Sequence, residues 1–316
     1  MTKQFLVITS NRSTTTTWAD RESALQEFMR QLEVRVPNVQ ILYTTYDDIT
    51  CTVIDGTVMM RDMRHDIDLA EVAMVHFKNW LFDSEQASMI ACYLEHHDIT
   101  YFNSEVNAGL AWGKISQMVR LAYGSVRVPN TYFAKNRRMR DAFSTNQLPA
   151  GFSFPLILKA DDGAKGNDNH LIKTPEQATS ILDTSTEKHY VVQNFLPNEG
   201  DYRFLFFGTY DAPIIFHRKA TDGGHLNNTS QGGSGSAVDP QSLPPDYIPL
   251  ARQAAIILKR EISGVDILVD TTDGTAYVLE VNATPAIVTG YDVEHKNKLF
   301  AAFLEKQLGL GAAQHD

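Results

Sequence analysis

An α/β fold is expected, with a first lobe of alternating strands and helices followed by strand-richer α+β lobes. Three observations point there. Short apolar runs alternate with 3.6-periodic segments through the first 125 or so positions, and strand signals then crowd together after Phe154. The 316 residues, 43% of them apolar, are enough to bury large cores and to divide into two or three lobes of ordinary size.

Phe5 to Thr9 reads as a buried strand ending in the polar loop Ser10-Asn11-Arg12-Ser13, and a helical pattern runs from Asp20 to Val34. Val39 to Tyr43 gives a second strand, Thr50 to Met60 a hairpin about Asp55-Gly56, and Val72 to Phe77 a third buried strand. A helix follows at Ser84 to His97, then a strand at Ile99 to Phe102 and a long helix from Ser104 to Tyr123. VRVPNTYFA is a linking strand. Beyond it, strands are expected at Phe154 to Ala160, His170 to Ile172, Tyr190 to Phe195, Tyr202 to Phe207 and Pro213 to Lys219. Helices punctuate them at Pro175 to Asp183, Tyr247 to Glu261 and Val293 to Leu308. Thr174 as N-cap with Pro175 at the first helical position is a strong start signal. Thr14 to Thr17 and Gln231 to Ser236 read as linker.

Composition excludes several functions. Twenty-eight basic against thirty-eight acidic side chains leave a net charge of −10, and Arg137-Arg138-Met139-Arg140 is the longest basic patch, so nucleic acid is an unsuitable partner. No apolar run reaches the length of a membrane span and MTKQFLVITSNR turns polar too early for a signal peptide, which places the chain in the cytoplasm. Cys51 and Cys92 lack CxxC spacing and read as buried thiols rather than as ligands or nucleophiles. His96-His97, at a helix end, is assigned no chemistry.

The most informative stretch starts at Gly264 and reads GVDILVDTTDGTAYVLEVNATP. Glu280 and Asn282 lie two apart on a strand and therefore on one face. Asp266 joins them only in one register. A two-residue loop at Asp273-Gly274 would pair Asp266 with Val281, whereas a three-residue loop Thr272-Asp273-Gly274, with Gly274 at positive φ, sets it opposite Glu280; the second register is expected. Two carboxylates and an amide oxygen suit Mg²⁺, with Mn²⁺ as the alternative, and offer zinc nothing soft.

Two further segments suit a nucleotide. FPLILK ends in Lys159, and DDGAKGND follows shortly after, with Gly163 and Gly166 able to bring backbone N–H groups close to phosphate beside Lys165. It lacks the Lys-Ser/Thr pair of a Walker loop. In YVVQNFLPNEGDYRF a strand runs into Pro197, leaving main-chain groups around Gln193, Asn194, Phe195 and Leu196 to meet a flat heterocycle, with Asp201 placed for ribose hydroxyls.

The order of Lys114, Lys159 with its glycine loop, VVQNFLP, Asp201-Tyr202-Arg203, His217-Arg218-Lys219, Asn228 before Gly232-Gly233, GVDIL and LEVNATP resembles the ATP-grasp superfamily, nearest to ribosomal-protein glutamate ligases and bacterial glutathione synthetases. The likeness spans Asn103 to the C-terminus. It implies an N-terminal α/β pre-ATP-grasp domain at 1–112 and an ATP-grasp domain at 113–316, divided into a lid subdomain at 113–190 and a metal and nucleotide subdomain at 191–316. It implies an ATP-dependent carboxylate–amine ligase working through an acyl phosphate. Lys114 and Lys159 would hold the α- and β-phosphates, and Arg218 the γ-phosphate and the oxyanion of amine attack. Glu280 would bridge two Mg²⁺ ions whose shells Asp266 and Asn282 complete, and Arg203, Arg218 and Asn228 would contact substrate. The expected catalytic residues are thus Arg218, Lys159 and Glu280. The acceptor would be an amino acid, a peptide or a protein tail, and a homo-oligomer is a family-level expectation. Two positions depart from the pattern. Asp168 stands where the glycine loop ends in glycine, and Leu226 replaces an arginine shortly before Asn228, which leaves the substrate open. The competing readings are a nucleotide-binding regulator without turnover and an ATP-grasp enzyme with a non-amine acceptor.

Overall fold

The computed structural model describes residues 2–12, 17–108, 113–161, 168–184, 188–220 and 234–310. The chain opens with β1 (Lys3–Thr9), α1 (Trp18–Arg35) and β2 (Val39–Thr45). A small antiparallel sheet follows, β3 (Ile49–Ile54), β4 (Thr57–Asp62) and β5 (Ile67–Asp68), then β6 (Met74–Lys78), α2 (Ser84–His96) and β7 (Thr100–Phe102). Strands β2-β1-β6-β7, in that order, form an all-parallel sheet, which explains why β1 and β6 read as continuous apolar runs. Helix α1 buries Leu25, Phe28, Met29 and Leu32, one helical stripe, and starts where the Thr17 side chain accepts from the Asp20 amide. Asp55 and Gly56 both take positive φ (49° and 80°), the conformation that a two-residue hairpin turn requires.

The second half holds α3 (Lys114–Tyr123), β8 (Thr131–Phe133), α4 (Asn136–Ser144), β9 (Leu156–Ala160), β10 (Asn169–Ile172), α5 (Pro175–Thr184) and β11 (Tyr190–Asn194). Their strands make an antiparallel sheet in the order β10-β9-β11-β8. Then come β12 (Asp201–Phe207), β13 (Ile214–Lys219), β14 (Ser234–Ala237), α6 (Tyr247–Ile257), β15 (Ile262–Val269), β16 (Ala276–Asn282) and α7 (Val293–Gln307). They build a five-stranded antiparallel sheet ordered β14-β13-β12-β15-β16. The expected start signal of α5 is present: Thr174 Oγ1 accepts from the Gln177 amide at 3.4 Å and Gln177 Oε1 accepts from the Lys173 amide at 2.7 Å.

Four expectations need correction. The long helix from Ser104 is not continuous, because Ser104–Asn107 is a 3₁₀ turn and α3 begins only after Gly113. Asp161 replaces the missing intrahelical partners there, accepting from the Ile115 amide at 3.2 Å. The Gly/Ser stretch read as linker becomes edge strand β14 from Ser234 on, paired with β13. Helix α4 was not foreseen; of its two buried residues, Met139 lies within the basic run Arg137–Arg140 and Phe143 just beyond it, too sparse an apolar pattern to announce a helix. Finally Cys51 and Cys92 are exposed, on the outer faces of β3 and α2.

The parallel sheet has one core on each face. The outer core, with Leu6, Ile8, Phe77, Trp80 and Leu94, belongs to the first lobe alone. On the other face Phe5, Phe28 and Leu32 pack with Phe300, Phe303 and Leu304 of α7 and with Leu205 and Phe216 of the five-stranded sheet. Asn103 fastens the same junction. Fully buried, it donates to the carbonyls of Ile262 and Ala283 at 2.9 Å each and accepts from the Ile262 amide at 2.7 Å. Asn103→Ala would leave those main-chain groups buried and unpaired, a cost on the order of 3 kcal/mol. We expect a clearly lower urea midpoint, and an unchanged midpoint would show the junction to be held elsewhere.

Candidate active site

Strands β12, β15 and β16 set a row of charged side chains across the five-stranded sheet: Arg203 pairs with Asp266, and Asp266 with Glu280. Directly opposed residues project from the same face, so the register expected from the sequence is the one observed. Its origin is different. Asp270 and Thr275 close a four-residue turn, Asp270 N–H donating to the Thr275 carbonyl at 2.9 Å, and Val269 pairs with Ala276. The extra residue enters farther along, where the pairing jumps from Ile267↔Val278 to Asp266↔Glu280 and Leu279 bulges. Alternation of burial breaks at that point, so Leu279 and Glu280 both stand on the less buried side of β16. Gly274 has positive φ, as expected, within the longer turn.

Around this row lies a dense charge network. Arg203 donates both arms of its fork to Asp266, Nε–Oδ1 and Nη2–Oδ2 each 2.7 Å, and Arg218 does the same to Asp201 at 2.6 and 2.8 Å. Arg218 also reaches Asp266 at 3.0 Å. Burial disfavours charge on Asp266, but Arg203 and Arg218 outweigh it and hold the carboxyl below its ordinary range. Asp201 is raised by burial and by the neighbouring Asp266 carboxylate, so of the two acids it is the easier to protonate. Arg218, penalised by burial, is held charged by Asp266 and Asp201. Both oxygens of Asp201, for which a ribose contact is expected from the sequence, are engaged by Arg218, and Asp201 does not line the cleft described next.

That cleft opens between the β10-β9-β11-β8 sheet and β15–β16. Lys159, Gln193, Asn194, Phe195 and Leu196 line it together with Ile157, Leu268 and the bulged Leu279. The Asn194 and Phe195 amides are already bonded, to the carbonyls of Asn130 and Pro155 at 3.3 and 3.4 Å. Of the expected main-chain donors, the Leu196 N–H is the one without a partner among the described residues. Burial lowers the Lys159 ammonium to about 8, Glu280 pulls upward, and Lys114 pushes down again, so both lysines act at one place. Lys114 Nζ donates to the Asp161 carbonyl at 3.1 Å. Asp168, the departure in the glycine loop, keeps the left-handed conformation (φ 54°) that glycine would supply, and its carboxylate meets Lys188 at 2.7 Å. Gly163, Lys165, Gly166, Leu226 and Asn228 lie outside the described residues.

On the other side of Glu280 is a larger cavity of about 440 Å³, shared by the first lobe and the segment after β16. Arg203, Arg218, Glu280 and Asn282 form one wall and Thr9, Arg21, Lys78 and Asn79 the other. A smaller recess of about 80 Å³ adjoins Arg203 and Arg218 beside Lys296, whose buried ammonium donates to the carbonyls of Ala286 and Thr289 at 2.9 and 3.0 Å. Sequence reasoning missed Arg21, Lys78 and Lys296. For Lys78 a signal existed, since it ends a parallel strand, where open α/β sheets bind their ligands.

Residues 111–302 match the family model described as the RimK-like ATP-grasp domain. The chain belongs to that family. Its ATP-grasp segment is 28% identical over 203 residues to the ribosomal protein bS6–L-glutamate ligase of Escherichia coli strain ED1a, covering 61% of this chain and 64% of that protein. The chain therefore matches a little under two thirds of such relatives' length. Among solved structures, the ATP-grasp ligase PsnB in complex with precursor peptide PsnA2 and AMPPNP superposes with a TM-score of 0.66 at 14% identity over 97% of this chain and 98% of that one. The D-alanine–D-alanine ligase of Bacillus anthracis, solved with ATP, gives 0.64 at 13% identity over 98% and 97%. At such identities the structures establish the ATP-grasp fold across both lobes.

The donor set fits a hard cation of the kind this fold implies. Glu280 accepts no hydrogen bond among the described residues and stands half-buried at the cavity wall. Asn282 Oδ1 accepts from the Thr284 amide at 2.9 Å and keeps a second lone pair. Asp266 accepts three arginine contacts, leaving about one of its roughly four acceptor positions. No cluster of three or more His, Cys, Asp or Glu side chains suited to a metal occurs among the described residues, so a cation here would depend on Asn282 and on ligand phosphate as well. Lys159→Met tests the ATP-grasp cleft. Because burial already opposes charge on Lys159, its removal should leave the thermal midpoint of the free protein equal or higher, while AMPPNP binding by calorimetry weakens about thirtyfold or more. Undiminished AMPPNP affinity would place the phosphates elsewhere.

Proposed function

We propose that this protein is an ATP-dependent carboxylate–amine ligase that forms an amide or peptide bond. The observation that carries the reading is the position of Glu280 and Asp266. They stand in one row between a cleft lined by Lys159 and Gln193 to Leu196 and a cavity walled by Arg203 and Arg218. Nucleotide on one side and acceptor on the other meet only there. Lys114, Lys159 and the glycine loop would hold ATP, with the Leu196 N–H available to the base. Glu280, Asn282 and Asp266 would hold Mg²⁺, or Mn²⁺, which supplies charge neutralisation of the phosphates when bound.

In the proposed reaction a substrate carboxylate oxygen attacks the γ-phosphorus of ATP, the bond to ADP breaks, and an acyl phosphate forms. An amine then attacks the acyl carbon, phosphate leaves with the bonding pair, and the amine's proton passes to solvent. Arg218 is suited to both steps. Its fork is fixed by Asp201 and Asp266, so the guanidinium is oriented before negative charge develops beside it. Arg203, fixed by Asp266, would orient the substrate carboxylate, with Asn228 as a further contact.

The names of the relatives speak of a ribosomal protein and of peptides, which supports an amino acid as one substrate and a peptide or protein tail as the other. Among the described residues no helix is long and apolar enough to cross a membrane. A cytoplasmic location and a homo-oligomeric state belong to the same proposal. The test is phosphate release from ATP and Mg²⁺ across amino acids and peptides, with mass spectrometry of the products. Glu280→Gln should cut that turnover by about two orders of magnitude or more while leaving the fold intact by circular dichroism. A near-normal rate in the variant, or ATP binding with no amine-dependent turnover for any acceptor, would overturn the reading.

A further inference from the structure

Lys78 has no task in the reaction just described, yet its position is a built one. It is the last residue of β6 and pairs in register with Thr9, the last residue of β1, so both stand at the carboxyl edge of the parallel sheet. Both line the cavity whose opposite wall carries Arg203, Arg218 and Glu280. The next residue, Asn79, turns left-handed (φ 53°), which ends the strand at once and keeps the lysine at the rim of the cavity. Among the described residues no hydrogen bond or ion pair engages the Lys78 ammonium.

The surroundings do not supply its counter-charge. Arg21, on the same wall, adds positive charge, and its guanidinium is committed to the main-chain carbonyls of Ser10, Asn11 and Arg12 at 3.3, 2.6 and 3.1 Å. Asp20, the acid of that wall, accepts the Thr17 hydroxyl at 2.7 Å at the start of α1. Burial and Arg21 together lower the Lys78 ammonium to about 8, the signature of a cation that lacks an anion. A protein of net charge −10 that gathers Lys78, Arg21, Arg203 and Arg218 around one cavity has made it a receptor for anions. Phosphate is served on the far side of Glu280 by Lys159 and Lys114. A single ammonium, without an arginine fork or a row of backbone amides, matches one carboxylate.

We propose that Lys78 binds a second, unreacting carboxylate of the substrate, so that the first lobe selects a molecule with two carboxylates, one activated beside Arg218 and the other anchored at the end of β6. This rests on the ligase reading for the fate of the first carboxylate but not for the binding itself. Lys78 is then the specificity residue of the lobe, and the carboxylate is that of an acidic side chain or of a chain end, in a free amino acid or in a short peptide.

Binding and turnover test it separately. In titration calorimetry with the full chain, glutarate should bind about tenfold or more tighter than its monoamide, and Lys78→Met should erase that difference. Lys78→Arg, which keeps the charge, should retain part of it. In phosphate release, glutamate against glutamine, each free and at the end of a tripeptide, should show KM rising only for the acid in Lys78→Met, with KM for ATP unchanged; the free and peptide arms tell which molecule supplies the carboxylate. Equal binding of glutarate and its monoamide by the wild-type protein, or a preference that survives Lys78→Met, overturns the proposal. Dicarboxylate binding that depends on Lys78 in a protein without turnover would sustain it and sink the ligase reading instead.

Discussion

One inserted residue governs this site. Without the bulge at Leu279, the four-residue turn would pair Asp266 with Leu279 and send Glu280 to the opposite face of β16. With it, two neighbouring side chains share one face: Leu279 lines the cleft beside Lys159 and Glu280 the larger cavity. The apolar floor of one compartment and the anionic post of the other are thereby separated by a single peptide unit.

The charge arrangement follows from the same sheet. Arg203 and Arg218 face Asp266 and Asp201 from adjacent strands in fixed, bidentate pairs, so the guanidinium groups are held in place by the fold before any ligand arrives. Buried pairs of this kind add little to stability, since desolvation offsets most of their attraction. Their value is orientation. Lys159, Lys78 and Lys296 show the complementary condition: each is lowered to about 8 by burial, Lys296 braced by carbonyls and the other two left facing cavities. Cations held uncomfortably at the walls are a means of attracting anions in a chain that is acidic overall.

Much of this was legible in the sequence, and the failures have identifiable causes. Strand identities and the placing of Lys159, Gln193 to Leu196, Asp266, Glu280 and Asn282 follow from apolar period and from residue type, which are local properties. The facing of Asp266 and Glu280 was also recoverable, although through a three-residue turn that the chain does not use; turn length and bulge position compensate, and only their sum is constrained by side-chain facing. The pairing of Asp201 with Arg218 was not foreseen, because a carboxylate at the start of a strand looks alike in sequence whether it meets a ribose or an arginine on the neighbouring strand. Helix α3 starts late because its cap comes from Asp161, far along the chain, where no local pattern can announce it. Lys78 and Arg21 were missed for a related reason: their cavity exists only once the first lobe docks on the segment after β16.

The docking itself joins the two ends of the chain. Phe5 and Phe28 from the beginning close on Phe300 and Phe303 from the last helix, with ring centroids of Phe5 and Phe300 6.0 Å apart. On the ribosome, therefore, the first sheet emerges with α2 over one face and only α1 over the other, and the aromatic seam along Phe5 and Phe28 stays open until α7 follows. At ordinary rates of synthesis that interval is roughly tens of seconds. For that time the nascent lobe presents a greasy aromatic surface, a natural foothold for a chaperone.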